Sequence, residues 1–413
     1  MMYQFHEFNN MFLTPANFFA DAAHKVLSHP FSPMYYTDYG RAAAAGFEVM
    51  ERLTRRFAKP EFGIDYIEQD GQVIRISEEV VNRRTFCRLL HFRRDFARKP
   101  KDIKTSEELP KVLIVAPMSG HYATLLRDTV RAMLQDHDVY ITDWHNARDI
   151  PLCFGDFSLC KYIDYVIDFV NLLGEKVHVM AVCQPSVPVM AATAYMNAHK
   201  DVIEPASMIL MGGPIDTRAN PTEVNKQAKD KPIEWFQENV ISTVPWYYGG
   251  AMRRVCPGFF MLSGFMSMNM ERHIEAHMSF FDHLVEGDQE SAASHRKFYD
   301  EFLAVMDIPA EFYIQSVQHV FQKHSLPRGK FTHNGEVVDL KAISKTALMT
   351  IEGERDDISG VGQTKAAHDI CVNIPKSKQK YLLQKNVGHY GIFNGRRWRE
   401  QIMPKVRDFI REV

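Results

Sequence analysis

Six short apolar runs divide the second part of the chain into regular intervals. They lie at residues 112–116, 139–143, 176–180, 208–211, 346–351 and 379–383. Between the first four, apolar positions recur at helical spacing. Leu125, Leu126, Val130, Met133 and Leu134 form one stripe, and Ile163, Val166, Ile167, Val170 and Leu173 form another, stopped by Gly174. Uninterrupted apolar strands alternating with amphipathic helices predict a parallel sheet covered on both faces. The alternation lapses between 215 and about 340. That stretch is helix-like and crowded with aromatics and methionines, among them Trp246, Phe260, Phe281, Phe298, Met261, Met268 and Met278. It reads as a helical cap inserted between two strands. Most of its aromatics are expected in the core, with some lining a greasy channel.

Ahead of the alternation, residues 1 to about 60 read as helical, with one helix from Ala42 to Phe57. Strands at 64–67 and 73–76 flank the turn signal Asp70-Gly71 as a hairpin. Residues 86–92 read as a further strand. Arg93, Arg94, Arg98, Lys99 and Lys101 read as a solvated connection. A closing helix carries Trp398, Ile402, Val406 and Phe409 and is interrupted or kinked by Pro404. The expected divisions are an extension over 1–105, a first core segment over 106–214, the cap over 215–340 and a second core segment over 341–413.

Composition narrows the class. Hydrophobic residues make up 46% of 413, enough for a sizeable core, and a net charge of −2 gives nucleic acid no electrostatic footprint. The six cysteines include no C-x-x-C pair, so neither a zinc site nor a disulfide framework is expected. The first residues lack the pattern of a signal peptide, and no run is long enough to span a membrane. The expected location is the cytoplasm.

Candidate chemistry centres on Ala181-Val182-Cys183-Gln184-Pro185, between an apolar strand and a helix-like run. A reactive residue on a sharp strand-to-helix turn is the nucleophile elbow of α/β hydrolases. Here G-x-S-x-G becomes A-x-C-x-P. Ala181 is small enough for the bend, and Pro185 sits where a missing N–H costs nothing. In this fold the order is nucleophile, acid, histidine, each just past a strand. Cys183 is the nucleophile candidate and His389, in Gly388-His389, the base. Asp356, three residues after Gly353, is the favoured acid, with Asp357 as the alternative. The backbone N–H groups of Gln184 and Met118 are the expected oxyanion donors. Ser119 and His121, in the same loop as Met118, are candidate substrate contacts. The chemistry needs no metal or cofactor.

These stretches carry a resemblance that covers nearly the whole chain. Ala116-Pro117-Met118-Ser119-Gly120-His121, the run 140–149, Val182-Cys183-Gln184-Pro185, the run 353–358 and Gly388-His389-Tyr390-Gly391 resemble intracellular poly(3-hydroxybutyrate) depolymerases of the cysteine-nucleophile type. That family is similar to polyhydroxyalkanoate synthases in its Cys-Asp-His triad and α/β-hydrolase core. The resemblance implies that Cys183 is nucleophile, Asp356 acid and His389 base. It also implies attachment to granules of amorphous polyester inside bacteria. The expected reaction runs through a Cys acyl-enzyme and releases 3-hydroxybutyrate or oligomers. Thioesters accept other nucleophiles, so coenzyme A thiol is an alternative acyl acceptor. A homodimer is the default oligomer. Two competing functions are a synthase-like acyltransferase and a non-catalytic granule-coat protein.

Overall fold

The computed structural model describes residues 2–96, 103–199 and 202–413. Its centre is a nine-stranded sheet, in chain order β1 (Tyr66–Gln69), β2 (Gln72–Arg83), β3 (Cys87–Asp95), β4 (Lys111–Val115), β5 (Asp138–Trp144), β6 (His178–Val182), β7 (Ser207–Met211), β8 (Ala347–Gly353) and β9 (Gln379–Gln384). In space the order is β1-β2-β3-β5-β4-β6-β7-β8-β9. The six strands from β5 to β9 are parallel, and β1 to β3 add to one edge as an antiparallel meander. This is the α/β-hydrolase architecture, with extra helices inserted between β7 and β8.

Strands β5, β6, β7 and β8 are buried along their whole length. That burial explains their continuous apolar runs, because both faces are covered by helices. On one such face α4 (Leu159–Leu173), the helix that follows the short α3 (Arg127–Met133), buries Tyr162, Ile163, Val166, Phe169 and Val170. Each such side chain contributes about 1.5–3 kcal/mol of transfer free energy. The helix stops at Gly174, whose φ of 83° is available to glycine and whose N–H closes on Val170 O at 3.0 Å.

The N-terminal segment forms α1 (Met2–Leu27) and α2 (Asp38–Thr54), which pack on each other. The second helix begins four residues before the apolar pattern does, because Thr37 caps it through a bond from Gly40 N. The hairpin is longer than its apolar core: β2 runs twelve residues and is bulged between Val80 and Asn82. Ion pairs tie this extension to the rest. The buried carboxylate of Asp143 receives Lys59 Nζ at 2.5 and 2.6 Å and Arg88 Nη2 at 2.5 Å. Arg296, on the cap, binds Glu48 of α2 at 2.6 and 3.0 Å.

Three expectations need correction. Arg94 is not solvated: it is buried, and its guanidinium donates to the carbonyls of Lys104, Leu134 and Gln135. Its neighbours Arg98, Lys99 and Lys101 lie outside the described residues. The insertion is not wholly helical, since it contains a small sheet of residues 242–243, 254–256 and 308–309 and a hairpin of 332–333 with 336–337. Pro404 opens the last helix, Met403–Glu412, after a wide π-type turn over Trp398–Ile402. A first-turn proline has no intrahelical bond to lose.

The insertion carries α6 (Glu223–Asp230), α7 (Ile233–Asn239), α8 (Gly258–Met268), α9 (Met270–Glu286), α10 (Gln289–Phe302) and α11 (Ala310–Ser316). Of these, α8 is apolar almost all round, yet only Gly258 in it is fully buried.

Candidate active site

Strand β6 ends at Val182, and α5 (Ser186–Ala198) begins three residues after Cys183. Between them Cys183 takes φ 66°, a left-handed conformation that a non-glycine residue adopts at a cost. Two bonds hold it there. Cys183 N donates to Met211 O at 2.7 Å, and Cys183 O accepts from Ser186 N at 3.0 Å. The thiol is half-buried and faces the loops after β8 and β9.

Those loops bring the other candidates to it. His389 is buried, and its Nδ1 lies 2.7 Å from Asp356 Oδ2. The second carboxylate oxygen of Asp356 accepts from Ile358 N at 2.9 Å and Ser359 N at 2.8 Å. Both oxygens are therefore fixed before any substrate arrives. Cys183 and His389 line the same cavity, close enough for the sulfur to act on the imidazole electrostatically. Burial works against a charged His389, but the facing Asp356 and Cys183 outweigh it and raise its pKa well above the ordinary histidine value. Asp357 turns away, and its Oδ2 accepts from Asn269 Nδ2 at 2.6 Å. The two adjacent aspartates are thus divided: Asp356 lies against the histidine and Asp357 on the surface.

The oxyanion candidates are adjacent but mutually engaged. Met118 N donates to the Gln184 side-chain oxygen at 3.3 Å. Ser119 lines the cavity above Cys183. His121 lines it too, but it is buried and bonded through Nε2 to Phe302 O at 3.0 Å. Burial lowers its pKa to about 4, so it is a neutral link between the loop after β4 and the end of α10.

Two glycines not singled out as site residues make the assembly sterically feasible. A Cβ on Gly212, which has φ 56°, would lie 2.7 Å from Ile392 Cδ1, 3.2 Å from His389 Cε1 and 3.3 Å from Asp356 Oδ2. A Cβ on Gly213 would lie 2.0 Å from Ser186 Oγ. The pair ends β7, and the signal for it was the Gly212-Gly213-Pro214 stop after an apolar run. Tyr390 is the other addition. It lines the cavity, and its ring lies 5.9 Å from that of His389.

A cavity of about 290 Å3 opens over Cys183. Its roof is α8, through Phe260, Met261, Phe265 and Met268, and its far wall includes Phe312 and Phe321. The fixed end of α8 is buried, where Asp307 Oδ1 accepts from Gly258 N at 2.8 Å. Burial pushes the Asp307 carboxyl up to about 7, against the pull of that bond. Among the described residues no group of three or more His, Cys, Asp or Glu is placed to hold a metal. Nor is any helix among them long and apolar enough to cross a membrane.

Residues 212–413 match a family model described as PHB de-polymerase C-terminus. The chain is 22% identical over 345 residues to the poly(3-hydroxyalkanoate) polymerase subunit PhaC of Haloarcula marismortui, covering 81% of this chain and 67% of that protein. Among solved structures it is similar to a hydrolase from Pseudomonas aeruginosa PA01, with a TM-score of 0.45, 10% identity and coverage of 81% and 98% of the two chains. It is also similar to a 2-hydroxy-6-oxo-6-phenylhexa-2,4-dienoate hydrolase from Rhodococcus sp. strain RHA1, with a TM-score of 0.45, 12% identity and coverage of 82% and 99%.

Proposed function

We propose, from the match of residues 212–413 to the PHB de-polymerase C-terminal family and the similarity to a poly(3-hydroxyalkanoate) polymerase subunit, that this chain hydrolyses the ester bonds of amorphous poly(3-hydroxybutyrate) through a thioester on Cys183. The observation that carries this reading is the pair His389–Asp356 set beside Cys183 at one apolar cavity. A neutral, water-insoluble polyester needs such a cavity to reach a nucleophile set below the surface.

The chemistry follows the contacts. His389 takes the thiol proton, and Asp356 holds the imidazole with Nδ1–H toward the carboxylate and stabilises its positive form. Sulfur attacks the ester carbonyl, and the oxyanion collapses to a thioester as the C–O bond breaks. His389 gives its proton to the leaving oxygen, then draws one from water, which attacks the thioester and restores the thiol. The oxyanion falls to the N–H groups of Met118 and Gln184. The Met118 N–H becomes available for this once the Gln184 side chain swings aside. Ser119 borders the acyl chain, and His121 fixes the loop that carries Met118.

Attachment to granules is supported by α1 and the turn after it. Phe5, Phe8, Met11, Phe12, Phe18, Phe19 and Phe31 are all exposed, Phe31 at 91%. In α1 up to Ala20 the sole formal charge is Glu7, and it is paired with Arg56 at 2.8 Å. So large an apolar face is unusual on a free surface and suits an apolar particle.

The test is release of 3-hydroxybutyrate from native amorphous granules by wild type and Cys183→Ala. Release that the substitution abolishes, with granule binding kept, supports the reading. Equal release by the variant overturns it. The kinship with a polymerase subunit favours one second reading, acyl transfer in the synthetic direction. Liberation of coenzyme A from a 3-hydroxyacyl thioester with polymer growth would select that reading.

A further inference from the structure

Two cavities meet at His389, and their chemistry differs. The first is the apolar one that contains Cys183. The second, of about 580 Å3, shares Phe265, Met268, Ile358, His389 and Tyr390 with it but does not include Cys183. Four arginines border this second cavity, Arg272, Arg355, Arg396 and Arg397, against one carboxylate, Asp357. Asp357 is already bonded by Asn269, and Arg396 is engaged by Glu400 at 2.9 Å. Arg272 and Arg355 form no ion pair with a described residue. The cavity is therefore a positively charged vestibule that opens onto the catalytic histidine.

Which half of a substrate lies there follows from the proton inventory. When sulfur attacks a carbonyl, the S–C bond forms and the acyl half stays on Cys183. The other half departs as an alkoxide and takes the proton held by His389. The departing half must lie on the His389 side of the sulfur, which is the side of the second cavity. In a linear polyester of hydroxy acids, that half runs from the newly freed hydroxyl to the one free carboxylate of the chain. If the cut falls within a unit or two of the acid end, the carboxylate sits inside the vestibule. Nothing else in such a polymer carries charge, so a group of unpaired arginines has one partner to recognise.

We propose that the arginine-bordered cavity is the leaving-group subsite and binds the terminal carboxylate of the polyester, so that cleavage proceeds from the acid end and releases short 3-hydroxy acids. This rests on the hydrolase reading above. Arg272 projects from α9 and Arg355 from the loop that carries Asp356, so the anion bridges the cap and the core. A planar guanidinium offers a carboxylate two parallel N–H donors.

Binding separates this proposal from the reaction. In Cys183→Ala protein, affinity for a 3-hydroxybutyrate tetramer as free acid is compared with that for its methyl ester by calorimetry. The free acid is expected to bind about tenfold more tightly, the ratio of one charge-assisted pair. Arg272→Gln and Arg355→Gln, made separately in that background, are each expected to shrink the ratio. Equal affinity for the two tetramers in the unsubstituted background overturns the proposal without any arginine variant. A preference that survives both substitutions overturns the assignment to these residues. Turnover of the free acid by wild type is scored separately. Absence of turnover together with a tenfold binding preference would remove the hydrolase reading and leave an anion site.

Discussion

Gly212 and His389 are in such close contact that a single added carbon at Gly212 would stand 3.2 Å from the imidazole Cε1. The same carbon would press on Ile392 Cδ1 at 2.7 Å, and the φ of 56° disfavours any side chain. Gly212→Ala should therefore displace the histidine rather than open the fold. The expected result is a loss of about 10²-fold or more in kcat, since errors of about 1 Å cost that much. Thermal unfolding and the kcat of the same sample check it, and a variant with wild-type kcat would contradict the assembly.

The division between the two aspartates makes a paired prediction. Asp356→Asn removes the charge that favours the protonated imidazole, and activity should fall by about 10³–10⁴-fold. Asp357→Asn leaves His389 untouched and should stay within about threefold of wild type on a neutral methyl-ester oligomer. The histidine pKa should drop in Asp356→Asn. Because the folded pKa of His389 is raised, stability from its charged form is complete below the unfolded histidine value and is lost as pH rises through the folded one. Melting temperatures of wild type and Asp356→Asn should accordingly converge toward high pH. NMR titration of the imidazole tests the shift directly.

Asp307 predicts a pH effect at a distance from the reacting atoms. Its carboxyl is raised to about 7 by burial, above its unfolded value. Stability that depends on the neutral form is complete below the unfolded pKa and fades as pH rises through about 7. Asp307→Asn keeps an acceptor for Gly258 N and cannot ionise. Its melting temperature relative to wild type should climb between pH 4 and 8. A flat difference across that range would mean that the ionised form is accommodated.

The exposed face of α1 gives a prediction about location. Phe12→Ser with Phe18→Ser removes two rings that are 65% and 75% exposed, so folding should be nearly unaffected. Co-sedimentation with amorphous granules should weaken by about tenfold, while turnover of a soluble tetramer stays at the wild-type rate. Equal losses on both substrates would point to folding instead.

The sheet was legible because strands buried on both faces must be apolar throughout. The elbow was legible because a bend between such a strand and a helix tolerates few residues. The contest between Asp356 and Asp357 was not, since neighbouring side chains on a loop differ only in direction, and the Ile358 and Ser359 amides set that direction. The burial of Arg94 is hidden in the sequence for a related reason. Charge along a sequence does not show the three carbonyls that a fold later aims at one guanidinium. The Gly212-Gly213 stop could be seen in the sequence, but its purpose depends on atoms from β8 and β9 loops more than a hundred residues away.

The face that α1 turns outward also sets the behaviour of the protein when no polymer is at hand. Seven large apolar side chains then stand in water, and the few charges among them, Glu7, Asp21 and Lys25, are each held in an ion pair, which leaves little net charge to keep copies apart. Dilution favours the lone chain, and crowding favours clusters joined through this helix. Under the granule-binding reading, synthesis ahead of the polymer is expected to send the excess into aggregates instead of idle enzyme.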